Sequence, residues 1–259
     1  MDLGLKGKAA LVTAASKGMG KACALGLASE GARILMCART ERDVAAAADE
    51  VRGKTGAEVV AMAADVTRAA DVKALGQRAR DVLGGVDILI ANAGGPPRVD
   101  FEQTTDEQWY GAFDVSVLSV VRLIREVLPS MRARRWGRIL TIQSVSVKQP
   151  VDGLVLSNAV RPGVAGLMKT LAEDLGRDNI TINVLCPGKI LTDRFLGGAP
   201  RAGLPPDEYA RRAASDVPLR RIGTPEEFAN VAVFLASERA SYVTGVALQV
   251  DGGLVRANV

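Results

Sequence analysis

A chain of 259 residues, 48% of them hydrophobic, is long enough to bury one sizeable core and asks for no second. Its 33 basic and 29 acidic residues leave a net charge of +4 with the basic residues dispersed, so nucleic acid is not an expected partner whereas small anions are. The absence of histidine excludes His-based nucleophilic triads and most catalytic zinc sites, and the three cysteines lack metal-ligand spacing, so no metal is expected.

The N-terminus runs straight into an apolar strand, "AALVTA" (9–14), without a long apolar segment before it, so neither a signal peptide nor a membrane anchor is expected. A helical period follows over Gly18–Ser29, then the strand "RILMCA" (33–38) and a helix over Thr40–Gly53. The strand "EVVAMAA" (58–64) leads to a helix over Asp71–Leu83, and "VDILIAN" (86–92) to a long helix over Thr105–Arg134, whose basic end "RARRW" reads as solvated. "GRILTIQS" (137–144), a helix over Val164–Gly176 and "TINVLCP" (181–187) continue the alternation. A long loop, Leu191 to Val217, holds a short helix at Pro206–Ala214 and reads as a substrate lid. The helix Pro225–Ala236 and the strand "ALQVDGG" (247–253) close the chain.

Strands that are apolar on both faces belong in a parallel sheet covered on both sides. The expected fold class is therefore α/β: one doubly wound domain over 1–259, with a seven-stranded parallel sheet, helices on both faces and a lid around 191–217. Cys23 and Cys37 fall in apolar elements and read as buried thiols, which fits a reducing, cytoplasmic setting.

"TAASKGMG" (Thr13–Gly20) joins the first strand to the first helix. Glycines there let backbone approach a pyrophosphate, which the helix N-terminus attracts. The bland alternative, a plain βα turn, is disfavoured by its position at strand one of such a sheet. The expected architecture is Rossmann-type, with Thr13, Ala15, Ser16, Lys17, Gly18, Met19 and Gly20 against the dinucleotide.

With these residues the chain resembles the short-chain dehydrogenase/reductase family over essentially its whole length. Thr13, Gly18 and Gly20 match the family's glycine motif, with Ala14 where its first glycine stands. Asp65, followed by Val66, resembles the adenine-contacting aspartate, and "ANAG" keeps Asn92 and Gly94 of the family's "NNAG". "PGKILT" resembles the segment that holds the nicotinamide amide, which implies contacts from Pro187, Gly188, Ile190 and Thr192. "VTGVALQVDGG" (243–253) matches the family's ending.

The resemblance implies a nicotinamide dinucleotide, and "MCART" points to NADP(H), with NAD(H) second. Ala38 replaces the acid that would bind a ribose 2′-hydroxyl, Arg39 follows, and Lys17 lies in the glycine loop. The alternative is a solvated Arg39, with Glu41 binding the ribose.

At the reacting end the family uses asparagine, serine, tyrosine and lysine. The matching positions here are Ser116, Ser144, Ser157 and Arg161, so one of the four is kept. The tyrosines are Tyr110, Tyr209 and Tyr242, none near this position, although Tyr209 could reach in from the lid. A phenol has pKa about 10, and a serine hydroxyl lies nearer water, on the order of 15. The gap of ~5 units is roughly 7 kcal/mol in proton affinity, so Ser157 does not replace tyrosine as an acid–base. Arg161 keeps a charge and a hydrogen-bonding fork with which to hold a ribose. Lys148, Asp152 and Lys189 are candidate proton carriers, although each reads first as solvated loop charge. Pro162 costs about 3 kcal/mol inside a helix, so the helix is expected to begin near Arg161 or to kink there.

The expected function is that of an NADP(H)-dependent oxidoreductase, similar to 3-oxoacyl carrier-protein reductases, acting on a small carbonyl or alcohol substrate. The alternatives are a non-redox isomerase or dehydratase and a nucleotide-sensing protein on the same scaffold. The resemblance also implies a homotetramer, with the 105–134 and 164–176 helices and the closing strand as interfaces, and a dimer as second choice.

Overall fold

The computed structural model describes residues 1–258. Its strands are β1 (Ala9–Val12), β2 (Arg33–Ala38), β3 (Val59–Ala63), β4 (Ile88–Ala91), β5 (Gly137–Ile142), β6 (Ile180–Pro187) and β7 (Ala247–Val250). They form one seven-stranded sheet in the order β3-β2-β1-β4-β5-β6-β7, and every neighbouring pair is parallel.

Successive residues of a strand face opposite sides, and here both sides find a helical layer. Ala10, Val12, Ile34, Met36, Ile88 and Ile90 pack with Leu27 of α1 (Gly18–Ser29), Val44 of α2 (Glu41–Thr55) and Phe228 of α9 (Pro225–Ala236). Leu11, Leu35, Leu89, Ile139 and Ile182 pack with Leu75 of α3 (Ala69–Leu83), Leu123 of α5 (Ser119–Arg134) and Met168 of α6 (Val155–Gly176). Cys23 and Cys37 are fully buried in these layers, as their setting predicts.

The strand order reverses between β1 and β4, and the crevice beyond the carboxyl ends of such strands is where this architecture binds ligands. Thr13 ties the two ends together: its hydroxyl donates to the Asn92 carbonyl at 2.6 Å and accepts from the Asn92 N–H at 2.9 Å.

Three expectations need correction. The 105–134 segment is not one regular helix. It starts at a capping box on Thr105, runs as α4 (Asp106–Phe113), widens into a π-turn over Asp114–Leu118, and continues as α5 through Pro129. The helix expected from Val164 starts at Val155, and Pro162 sits inside it, well past the first turn. The proline ring lies on the exposed side, while Leu156, Ser157, Arg161 and Val164 are buried. The Asn158 amide also clamps both backbone groups of Val151, at 3.0 and 2.9 Å. Packing and that clamp outweigh the ~3 kcal/mol the proline costs. Finally, β5 stops at Ile142, so Ser144 lies beyond the strand and caps a short 3-10 turn over Val145–Val147.

The 191–217 segment carries α7 (Asp193–Leu196) and α8 (Pro206–Ala214). Among the described residues, no helix is long and apolar enough to cross a membrane.

Candidate active site

The glycine loop is shaped by two left-handed residues, Ala14 at φ 46° and Gly18 at φ 56°. Ala15 locks the loop by donating its N–H to the Cys37 carbonyl at 2.9 Å. A Cβ on Gly20 would run into the Ala14 carbonyl and stand 3.0 Å from Asn92 Nδ2, so only glycine lets α1 lie this close to the β1–β4 ends. No side chain caps the α1 N-terminus and no acid stands in its first turn, which leaves its N–H groups free for an anion. Ser16 is half-buried beside them, and Met19 lines the adjoining cavity. Gly94 opens onto free space, where even a Cβ would touch nothing within 4 Å. Thr192 closes the crevice from the far side, its methyl 3.2 Å from where a Gly18 Cβ would stand. Gly188 leans on Asp251 too closely for any side chain, beside Pro187, and Ile190 is buried.

At the adenosine end, Arg39 is exposed just beyond β2, and Asp65 lies half-buried just beyond β3. Burial alone would raise the Asp65 carboxyl, but the Thr67 N–H and hydroxyl at 3.0 and 2.8 Å, with the Arg39 and Arg68 charges, hold it below its ordinary value. Val66 is buried beside it, and Glu41 is exposed in the first turn of α2. Lys17 is not a free cation: it pairs with Asp193 at 3.1 Å, both side chains well exposed.

The reacting end brings together Ser144, Ser157 and Arg161 with two residues the sequence reading passed over, Gln143 and Ser146. Arg161 Nε donates to Ser157 Oγ at 2.9 Å and its Nη1 to Gln143 Oε1 at 2.9 Å. Ser157 Oγ lies 3.3 Å from Ser146 Oγ, and the Ser146 N–H donates to Ser144 Oγ at 3.1 Å. Both missed residues stand in "TIQSVSV"; the signal was a run of polar residues ending an otherwise buried strand. Arg161 is buried, and desolvation followed by the neighbouring Arg194 charge pulls its guanidinium down to about 10. It remains a cation at neutral pH.

Ser116 sits in the π-turn, buried, with no hydrogen-bond partner for its hydroxyl among the described residues. A cavity of about 10 Å³ bounded by Ser116, Asn92, Gln143 and Arg161 lies beside it, room for one water. Of the suggested proton carriers, Lys189 is engaged by Asp216 at 2.8 Å and the Ala213 carbonyl at 2.9 Å. Tyr209 lines the large cavity from α8, its ring 5.2 Å from that of Phe195. That cavity, about 1110 Å³, runs without a break from Met19 at the glycine loop past Ser144, Ser157 and Arg161 to α8.

Comparison with known proteins agrees with this layout. The family model described as enoyl-(acyl carrier protein) reductase matches residues 13–255. The 3-oxoacyl-[acyl-carrier-protein] reductase FabG of Escherichia coli is 36% identical over 254 residues, covering 97% of this chain and 99% of its own. An uncharacterized oxidoreductase of Bacillus subtilis, YvrD, is 34% identical over 265 residues, covering 99% and 100%. Among solved structures, L-sorbose reductase from Gluconobacter frateurii, complexed with NADPH and L-sorbose, superposes with a TM-score of 0.96 at 37% identity, covering 99% of this chain and 100% of its own. Sheet order, crevice and sequence thus converge, and the chain belongs to the short-chain dehydrogenase/reductase family of oxidoreductases, resembling its 3-oxoacyl carrier-protein reductases.

Proposed function

We propose that the protein is an NADP(H)-dependent oxidoreductase that reduces a carbonyl, or oxidises the corresponding alcohol, with Ser144, Ser157 and Arg161 at the reacting end. The observation that carries this reading is the unbroken cavity from the glycine loop to the Ser157–Arg161 pair. The residues fit a dinucleotide. The uncapped α1 N-terminus suits its pyrophosphate, the open face of Gly94 admits its sugar chain, and Thr192 lies against the loop. Arg39 supplies the cation that a 2′-phosphate needs where an acid would repel it. The NADPH-bound L-sorbose reductase supports the same choice.

When bound, the dinucleotide supplies or accepts the hydride. The chain's own groups manage the charge that hydride transfer leaves on oxygen. Ser144 Oγ accepts from the Ser146 N–H, so its proton is free to donate to that oxygen. Ser157 Oγ accepts from Arg161, which orients and polarises the hydroxyl. The Arg161 cation stabilises the developing alkoxide across Ser157, and preorganised donors of this kind are worth ~10²–10³ in rate each. Solvent in the cavity then protonates the alkoxide, replacing the direct delivery a tyrosine would give. The 191–217 segment acts as the lid of a single domain.

The same reading includes assembly as a tetramer. Tyr110 and Phe113 of α4 and Leu248 of the edge strand β7 are exposed apolar side chains on the expected interfaces. A monomer by light scattering would remove that part.

The decisive experiment titrates NADPH and NADH into native protein and Arg39→Ala, then screens carbonyls by nicotinamide absorbance. Arg39→Ala should weaken NADPH about 10–100-fold, the worth of a charge-assisted bond, and leave NADH unchanged. Ser144→Ala should lower kcat by ~10²–10³ with dinucleotide binding intact. Absence of dinucleotide binding to native protein would overturn the reading.

A further inference from the structure

Two charged side chains are buried among the described residues, Arg138 and Arg161, and the fold treats them differently. Arg138, at the amino end of β5, has a carboxylate partner, Glu238, at 3.5 Å, and packs on Trp136 with its guanidinium carbon 4.4 Å from the ring centre. Arg161 has no such partner: among the described residues no carboxylate stands within ion-pair distance of it. It donates instead to the Ser157 hydroxyl and to the Gln143 amide carbonyl, both neutral and each at 2.9 Å. Burial and then the Arg194 charge lower its pKa to about 10, so the charge is present at neutral pH.

Gln143 is placed to hold that guanidinium. It is the first residue beyond β5, its N–H donates to the Leu185 carbonyl of β6 at 2.8 Å, and its side chain is buried. A guanidinium only donates, so the amide turns its carbonyl oxygen to Arg161 and its NH2 away. The bond from Nε to Ser157 alone would leave the guanidinium plane free to swing about one contact; the second bond, from Nη1 to Gln143, fixes the plane. Nη2 then stands over Gly95, where a methyl group would be 3.1 Å from it, beside the open face of Gly94. A carboxylate at position 143 would satisfy the same nitrogen and also neutralise a buried cation, so for stability alone it would be the better partner. Glutamine supplies the position without the neutralisation.

We propose that Gln143 is a positioning residue, a neutral tether that fixes the Arg161 guanidinium with Nε on Ser157 and Nη2 facing the dinucleotide, and leaves its positive charge uncancelled for the alkoxide. This rests on the redox reading for the role of the alkoxide, whereas the tether itself concerns only Arg161 and the dinucleotide. Gln143 acts through Arg161, so its effect disappears when the guanidinium is removed.

Calorimetry with two probes separates the ends of the crevice: NADPH spans both, and adenosine 2′,5′-bisphosphate lacks the nicotinamide half. Gln143→Met keeps the length of the side chain and loses the acceptor; it should weaken NADPH about 3–10-fold and leave the bisphosphate within about twofold. Gln143→Leu makes the same comparison if the thioether does not fold. Added to Arg161→Met, the Gln143→Met change should cost less than about twofold further, because a tether without a guanidinium holds nothing. Gln143→Glu keeps the bond and cancels the charge, so NADPH affinity should stay within about threefold of native. For any carbonyl that the native protein reduces, Gln143→Glu should lower kcat about 10-fold with KM unchanged. Native NADPH affinity in Gln143→Met, equal loss of both probes, or independent losses in the double variant would overturn the proposal, since each assigns Gln143 to packing alone. If the NADPH results hold but native protein reduces no carbonyl, the tether stands and the redox reading falls. If carbonyls are reduced and both Gln143→Met and Gln143→Glu match the native rate, the redox reading stands and the tether falls.

Discussion

Replacing Ala14 by glycine should stabilise the protein, against the usual effect of that substitution. Ala14 is held at φ 46°, where an L side chain crowds the following carbonyl at a cost of about 1–2 kcal/mol. Glycine removes that cost but gains freedom in the unfolded chain worth ~0.5–1 kcal/mol. The Ala14 methyl is only half-buried, so its loss forfeits part of ~0.8 kcal/mol. The balance is a gain of about 0.5 kcal/mol. Ala15 is the internal control: fully buried and outside the left-handed region, it should lose both its burial and the entropy term, ~1.5 kcal/mol together. The two variants should therefore differ by about 2 kcal/mol, well resolved by urea unfolding at one fixed protein concentration. NADPH affinity of Ala14→Gly should equal or exceed that of native protein. Equal destabilisation by both substitutions would show that backbone strain at Ala14 is not what distinguishes this loop.

Burial pushes the Cys23 and Cys37 thiols up to about 12, so the stability they contribute is full below the unfolded thiol's pKa near 8.5 and is lost as pH rises toward 12. Cys23→Ala with Cys37→Ala should flatten the fall in stability between about pH 9 and 11 by up to ~1.4 kcal/mol per pH unit per thiol, and an unchanged slope in urea melts across that range would refute it. Ser157→Tyr with Arg161→Lys should restore a proton donor and raise NADPH-dependent carbonyl reduction by about 10²-fold, measured by initial rates. Adding Pro162→Ala tests whether the proline misplaces the new phenol, and no gain in either form would show that the cavity does not accept a tyrosine-led site.

The sequence by itself determined the layers and the ligand end. Apolar runs such as "VDILIAN" carry no polar face, so they had to become central parallel strands, and the glycines after β1 had to turn toward the crevice. The family resemblance pointed to Ser144, Ser157 and Arg161, and the fold brings the three together. Helix α6 went the other way. A proline inside a helix is a local penalty, and only the burial of Leu156, Ser157 and Arg161 together with the Asn158 clamp on Val151 showed that it is overruled. The π-turn holding Ser116 was hidden for a similar reason, since a widened turn leaves the apolar period of a helix nearly intact. The partners of Arg161 could not be read at all. Gln143 lies at the end of β5, Gly95 after β4 and Arg194 in α7, and they meet only because parallel strands deliver their carboxyl ends to one edge of the sheet. Local sequence sets which residues stand near a strand end, but the charge balance of a buried site depends on which strand ends become neighbours, and that is a property of the folded sheet.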